Sequence, residues 1–181
     1  MNKTVITGFV ALAALFSVSA AANAQSEDVQ KPVTIKLGVF LPSNGTIKNA
    51  TNDAFFAVGA ELALSKTTAQ DPTIPLIYAD YNGDSKNGAH LYDTGVGVGV
   101  KQYLGSGPNS STVPYVGAGV GAYFDQAKDS SFSENKTNLG YKLDVGLEFS
   151  HAALIEVDYQ DGGSLHGIRA NGVDILVGYR F

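Results

Sequence analysis

Four charged residues lie among apolar neighbours and could form a chemical site: Lys36, Glu148, Glu156 and Arg180. Two carboxylates can support acid–base catalysis, but only in a site that admits a bulky substrate between them. Opposite charges held close together can also form buried ion pairs that fill an interior, or can gate a narrow pore. The choice among these roles depends on the elements that carry the four residues.

Asp161, Ser164 and His166 form a second candidate, because these residue types occur together in hydrolytic triads. A short glycine-rich segment seldom holds three such side chains rigidly enough for nucleophilic catalysis. The chain also has no cysteine, which excludes thiol nucleophiles, disulfides and zinc held by cysteine. We therefore expect no catalytic residues, no metal site and no cofactor, and we predict that the protein is not an enzyme.

The composition narrows the class of protein further. The chain has 181 residues, of which 44% are hydrophobic and 16% are charged, and this suits one folded domain rather than a disordered chain. The formal net charge is −5, and the sequence lacks the clustered basic residues that nucleic acids need. We expect no nucleic-acid partner.

The first part of the chain has the layout of a secretory signal peptide. Lys3 precedes an apolar run over residues 5–16, and Ala22-Asn23-Ala24 matches the small-residue cleavage pattern. The run is too short for a membrane-spanning helix, which takes about 20 apolar residues. We predict a cleaved signal peptide at 1–24, a short leader at 25–32 and one domain at 33–181.

From residue 33 onward, apolar positions alternate with polar or glycine positions, and this period predicts β-strands. The clearest case runs from Leu139 to Phe149, where every odd position is apolar and every even position is glycine or charged. The predicted strands are 33–41, 54–65, 75–82, 92–104, 114–124, 139–149, 152–160 and 172–181. The predicted loops are 43–53, 66–74, 82–91, 105–113, 125–138, 150–151 and 161–171.

The two faces of these strands differ in a way that favours a membrane barrel. The second face is rich in glycine and carries few charges, as expected for the narrow lumen of eight strands, where glycines leave room for Tyr115 and Tyr123. If neighbouring strands run antiparallel, the aromatic residues of the apolar face fall at two heights, as in barrels that cross a bilayer. One height holds Phe56, Tyr81, Tyr92, Phe124, Tyr141 and Tyr159, and the other holds Phe149, Tyr179 and Phe181. The predicted fold class is therefore all-β, an eight-stranded antiparallel up-and-down transmembrane β-barrel. Residues 33–181 would form this barrel in the outer membrane, and residues 25–32 would be its periplasmic leader.

In such a barrel the four charged residues named first would face the lumen, close together at the end that carries the chain termini. We interpret Lys36, Glu148, Glu156 and Arg180 as a charge network that fills the lumen, because buried charges must be paired. A gate in a narrow pore is the alternative role for the same residues.

The chain ends in Val177-Gly178-Tyr179-Arg180-Phe181, with aromatic side chains at the last and third-last positions. This ending resembles that of the small eight-stranded outer-membrane β-barrels, of the OmpA-like transmembrane and Omp25-like surface-protein type. The resemblance implies that Tyr179 and Phe181 form the signal read by the barrel-assembly machinery. It also implies a place in the outer membrane of a Gram-negative envelope, among lipid and lipopolysaccharide. Leu176 departs from the pattern, since that position often holds glycine.

We therefore expect an integral outer-membrane protein with a structural or surface-interaction role through its extracellular loops, whose partner the sequence leaves open. Two alternatives remain. One is a small, porin-like gated pore. The other is a soluble, lipocalin-like binder of a hydrophobic ligand in the periplasm, because alternation alone does not tell the inside of a barrel from its outside.

Overall fold

The computed structural model describes residues 32–65, 72–86, 89–104, 111–128, 133–149, 152–165 and 168–181. Within these ranges no helix is long and apolar enough to cross a membrane. The signal peptide predicted at 1–24, and the leader predicted at 25–32 except for Pro32, lie outside the described residues.

Eight antiparallel strands, each hydrogen-bonded to its neighbours in sequence, close into a barrel when the last strand pairs with the first. The strands are β1 (Val33–Pro42), β2 (Phe55–Ala63), β3 (Thr73–Lys86), β4 (Ala89–Tyr103), β5 (Thr112–Lys128), β6 (Ser133–Phe149), β7 (Ala153–Leu165) and β8 (Ile168–Arg180). Closure leaves no open sheet edge, which a strand structure needs in order to satisfy its backbone in lipid. The structure confirms the predicted fold class, an up-and-down barrel of eight strands.

The barrel has two different ends. The terminal end is where β1 begins and β8 ends, and it carries the connections from β2 to β3, β4 to β5 and β6 to β7. The loop end is the opposite one, with the connections from β1 to β2, β3 to β4, β5 to β6 and β7 to β8.

The two faces of the wall alternate as predicted. Outward aliphatic side chains are widely exposed, for example Val98 at 57%, Leu143 at 52% and Val177 at 59%. Inward side chains such as Tyr78 and Glu156 are fully buried. An exposed aliphatic surface of this extent is unfavourable in water and suits the hydrocarbon of a bilayer.

Glycines on the inward face make room for the lumen tyrosines. A Cβ atom on Gly140 would lie 2.6 Å from the ring of Tyr123, and one on Gly146 would collide with the ring of Tyr115. Any larger residue at these positions would push the tyrosine ring toward the opposite wall of the barrel. The narrow lumen is thus filled by side chains, as expected for eight strands.

The hairpins at the loop end are longer than the sequence predicts. The predicted loops 82–91, 125–138 and 161–171 are largely strand, because β3 and β4, β5 and β6, and β7 and β8 continue through them. The loop prediction was wrong there for a physical reason: beyond a bilayer the outward face of a strand meets water, so apolar residues no longer mark it while backbone pairing continues. Ser85 still pairs with His90 in this region.

The predicted loop 43–53 contains a short helix, α1 (Gly45–Ala50). The side chain of Asn44 caps it by accepting a hydrogen bond of 2.9 Å from the backbone N–H of Thr46. Ile47 is buried and packs with Phe40 and Phe55, which point inward at the loop end. A helix this short is unstable alone, so we infer that the packing of Ile47 holds α1 over the mouth of the barrel.

Candidate functional site

The lumen near the terminal end holds an inner cluster of two cations and two carboxylates, namely Lys36, Glu61, Lys101 and Glu156. Lys36 Nζ donates to Glu61 Oε1 at 2.7 Å and also to Glu156 Oε1. Lys101 Nζ donates to Glu61 Oε2 at 2.7 Å and to Glu156 Oε2 at 3.2 Å. The two lysines and the two glutamates therefore alternate in a closed ring of ion pairs.

The inner cluster is almost completely sealed from solvent. None of its four side chains is more than 5% exposed. Tyr115 adds a neutral donor, because its hydroxyl lies 2.7 Å from Glu156 Oε2, and its ring lies 4.4 Å from Lys101 Nζ. Removing charges from water costs several kcal/mol per ion unless each charge gains close partners, and here every charge has at least two.

A second group, the rim pair, lies closer to the terminal end. Arg180 Nη2 lies 2.9 Å from Glu148 Oε2, and it also donates to the hydroxyl of Tyr103. That hydroxyl in turn donates to Glu148 Oε2 at 2.6 Å. The side chain of Arg180 is 14% exposed, so solvent reaches the rim pair but not the inner cluster.

The four residues that the sequence singled out all face the lumen, but they do not form one network. Lys36 and Glu156 belong to the inner cluster, whereas Glu148 and Arg180 form the rim pair. Glu61 and Lys101 complete the inner cluster. The alternation places both on the inward face, yet nothing in a single sequence says which inward charges meet.

Midway along the lumen, Lys142 joins two further carboxylates. Its Nζ lies 3.3 Å from Asp80 Oδ2 and 3.3 Å from Asp158 Oδ2. Asp158 also lies 4.0 Å from Lys36 Nζ, which links this group to the inner cluster. Lys142 further approaches the ring of Tyr78 at 4.8 Å. Paired charge thus continues from the terminal end to the middle of the barrel.

The loop end of the lumen is different, because it carries two mouth carboxylates, Asp93 and Asp125. They lie directly opposite each other on β4 and β5. One oxygen of each accepts a hydrogen bond from an amide: Asp93 from Gln160 at 3.2 Å, and Asp125 from Asn138 at 2.7 Å. The other oxygen of each is buried and has no hydrogen-bond donor among the described residues.

Sequence reasoning missed both mouth carboxylates, although a signal was present. On β4 the inward residues occupy odd positions, and Lys101 is one of them. Asp93 belongs to the same series and lies nearer the loop end. In β5, Asp125 follows the inward Tyr123 by two positions. The predicted strand 92–104 contains Asp93, but its inward position was not singled out, whereas Asp125 was assigned to the predicted loop 125–138.

Of the suggested hydrolytic triad, the structure describes only Asp161 and Ser164. Oδ2 of Asp161 lies 2.9 Å from Nη2 of Arg169, and Oδ1 of Asp161 accepts a hydrogen bond of 3.0 Å from the backbone N–H of Gly163. The carbonyl of Ser164 accepts from Lys136 at 2.6 Å. His166 and His151 lie outside the described residues. Among the described residues, no cluster of three or more His, Cys, Asp or Glu side chains is arranged to hold a metal ion.

Aromatic side chains mark both ends of the outward face. Tyr179 and Phe181 are exposed at the terminal end, with ring centroids 5.0 Å apart. Toward the loop end, Tyr141 and Tyr159 lie 6.2 Å apart. Aromatic residues in these positions suit the two polar interfaces of a bilayer.

Neither a protein-family model nor a characterised protein sequence matches the chain. Solved structures do match its fold. Neisserial surface protein A (NspA) aligns with a TM-score of 0.65 and 11% identity, over 82% of this chain and 94% of its own. The N-terminal β-barrel domain of OprF from Pseudomonas aeruginosa aligns with a TM-score of 0.51 and 16% identity, over 84% of this chain and 98% of its own. The fold is that of the small outer-membrane barrels.

The outer membrane enzyme PagL shares this architecture, with a TM-score of 0.50 and 13% identity over 82% of this chain and 98% of its own. The same fold therefore serves proteins with and without catalytic activity. Identities this low show a common fold and leave the function to the residues of each protein.

Proposed function

We propose that this chain is an integral outer-membrane β-barrel that acts through its loop end, as a structural or surface-interaction protein without catalytic activity. The single observation that carries the proposal is the reversal of polarity across the wall. Aliphatic residues such as Leu143 and Val177 cover the outside, while Lys36 and Glu156 are sealed inside. A barrel in lipid needs this arrangement, whereas a lipocalin-like barrel in water needs the opposite one.

The shape of the loop end supports a role at the cell surface. On β6, the segment Ser133–Gly140 continues beyond the outward Tyr141 and stays paired with β5. At about 3.4 Å per residue, eight residues reach roughly 25 Å along the strand. The hairpin of β5 and β6 therefore projects past the aromatic residues and offers a rigid surface to a partner outside the cell. Outer-membrane lipid and lipopolysaccharide would surround the wall below it.

Fractionation tests the membrane location directly. The full-length protein, expressed with its own N-terminal segment, should sediment with outer membranes and should need detergent for extraction. It should also migrate differently on gels before and after boiling, as closed barrels do. Recovery of folded protein in the soluble periplasmic fraction would refute the proposal and favour the lipocalin-like alternative.

A gated pore is the second candidate, and the solvent access of the rim pair favours it. Breaking the contact between Arg180 and Glu148 would open the part of the lumen nearest the terminal end. The inner cluster above it has no comparable access. Single-channel recordings of the wild type, Arg180→Ala and Glu148→Ala test this role. Conductance equal to that of an empty bilayer in all three excludes it.

A further inference from the structure

A cavity of about 230 Å³ lies at the loop end, between α1 and the mouth of the barrel. Its walls are mainly apolar and include Phe40, Ile47, Phe55 and Leu91. The first three of these pack together as one buried cluster, and Leu91 packs against it. The cavity is therefore lined by residues that pack on one another, and it opens to solvent on one side.

The mouth carboxylates lie in the wall of this cavity. Asp93 is 8% exposed and Asp125 is 3% exposed, and both line the cavity. Each has one oxygen that accepts from an amide and one oxygen without a donor. Two like charges directly opposite each other on neighbouring strands repel, and a buried carboxylate oxygen without a donor is costly. The site is therefore short of positive charge.

No lysine in the described part of the lumen supplies that charge. Lys142 is held by Asp80 and Asp158. Lys128 lines the rim of the cavity, but its side chain is exposed, where water and salt screen it. Lys136 lies opposite Asp125 on β6, but it is also exposed and donates to the carbonyl of Ser164. Within the described residues, no ion pair reaches either mouth carboxylate.

We propose that this cavity binds a small organic cation with an apolar body, of the arylalkylammonium class. The oxygens of Asp93 and Asp125 without a donor are closed off in this structure, so binding requires the two carboxylates to turn toward the cavity. The ammonium group then donates to them, and the aromatic or alkyl body packs against Phe40, Ile47 and Phe55. Charged hydrogen bonds of this kind are among the stronger ones in proteins. The volume fits, because an apolar cavity of about 150 Å³ accommodates benzene. This site goes beyond the proposed surface role and does not depend on it.

Isothermal titration of the full-length protein in nonionic detergent tests the site, with titration into empty micelles as the blank. We expect 2-phenylethylammonium to bind saturably with one equivalent per chain. Its neutral analogue 2-phenylethanol should bind about tenfold more weakly or worse, since it lacks the charge. Methylammonium should also bind about tenfold more weakly or worse, since it lacks the apolar body.

Two variants and one control locate the binding. Asp93→Asn and Asp125→Asn, made separately, should each weaken 2-phenylethylammonium about tenfold. Asp53→Asn removes an exposed carboxylate from the same end of the barrel and should leave the affinity unchanged. The boiling-dependent gel shift shows that each variant is folded, and the comparison among the three ligands on the wild type does not depend on any variant.

Three results would overturn the proposal. One is the absence of saturable binding above the micelle blank, which would mean that a proton shared between the carboxylates satisfies the site. The second is equal affinity for 2-phenylethanol and 2-phenylethylammonium. The third is full affinity in both Asp93→Asn and Asp125→Asn.

Discussion

The two ends of the lumen hold buried carboxylates in opposite circumstances. At the terminal end, Glu156 has Lys36, Lys101 and Tyr115 as donors. At the loop end, Asp93 and Asp125 face each other, with no cation within hydrogen-bonding reach among the described residues. Burial alone therefore does not decide what a lumen charge does. Fully paired charge fills a lumen and is costly to break, while unpaired charge beside a cavity is available to a ligand.

The largest effect should follow from removing a charge at the paired end. Glu156→Gln leaves Lys36 and Lys101 buried with Glu61 as their one shared carboxylate in the inner cluster. Breaking a buried ion pair in this way costs about 3–5 kcal/mol of folding stability. Urea unfolding of the barrel refolded into lipid vesicles measures the loss.

Asp53→Asn serves as the control for this change, because Asp53 is exposed and its substitution should alter stability by less than about 0.5 kcal/mol. A loss for Glu156→Gln no larger than that of the control would show that the inner cluster contributes little. The two ends would then differ in geometry but not in their contribution to folding stability.

The rim pair should give a smaller effect, because Arg180 is partly solvated. A double-mutant cycle with Arg180→Gln and Glu148→Gln isolates their interaction from other losses. We expect a coupling energy of about 1–3 kcal/mol, since the pair shares a hydrogen-bonded tyrosine. The same unfolding measurement on both single variants and the double variant provides it. Additive losses would mean that the two side chains act independently.

The contrast between the ends could be foreseen only in part. Alternation assigned Lys36 and Glu156 to the inward face, because successive strand side chains point to opposite sides. The partners could not be foreseen, since Lys101 and Glu156 are 55 positions apart and meet only through the stagger of a closed barrel. The split between the inner cluster and the rim pair has the same origin. At the loop end, the loss of apolar outward residues concealed the length of the hairpins, whereas Asp93 and Asp125 continue the inward series and were overlooked.

At the loop end, we expect the removal of a buried charge to raise folding stability or leave it unchanged. Asp125→Asn removes one of two facing charges and keeps an oxygen that can accept from Asn138. Without ligand, the variant should be as stable as the wild type or up to about 1 kcal/mol more stable, because a like-charge contact is lost. The same urea unfolding assay reports it. A loss of folding stability comparable to that of Glu156→Gln would mean that Asp125 has a compensating partner. Buried carboxylates would then be paired at both ends of the lumen.

The smallest effect concerns a carboxylate at the loop end that neutral donors satisfy. Asp84 accepts from the backbone N–H of Asn52 at 2.7 Å and from its side-chain amide at 2.9 and 3.0 Å. Partial burial raises the pKa of Asp84, but the hydrogen bonds from Asn52 outweigh it and hold this pKa below its usual value. Because the folded pKa is the lower one, the contact stabilises the segment that follows α1 above about pH 4. It is lost as the pH falls through the folded pKa.

Solvent screening keeps this contribution below about 1 kcal/mol, so a local probe is needed rather than global unfolding. Amide exchange of residues 47–52 should accelerate in the wild type between about pH 4 and pH 3, after correction for intrinsic rates. In Asp84→Asn this pH-dependent acceleration should vanish. An NMR titration should further show the pKa of Asp84 rising toward its usual value in Asn52→Ala. An unchanged pKa there would mean that Asn52 is not the donor that matters. Asp84 would then be no reference for a carboxylate satisfied by hydrogen bonds from Asn52, against which Asp93 and Asp125 are judged.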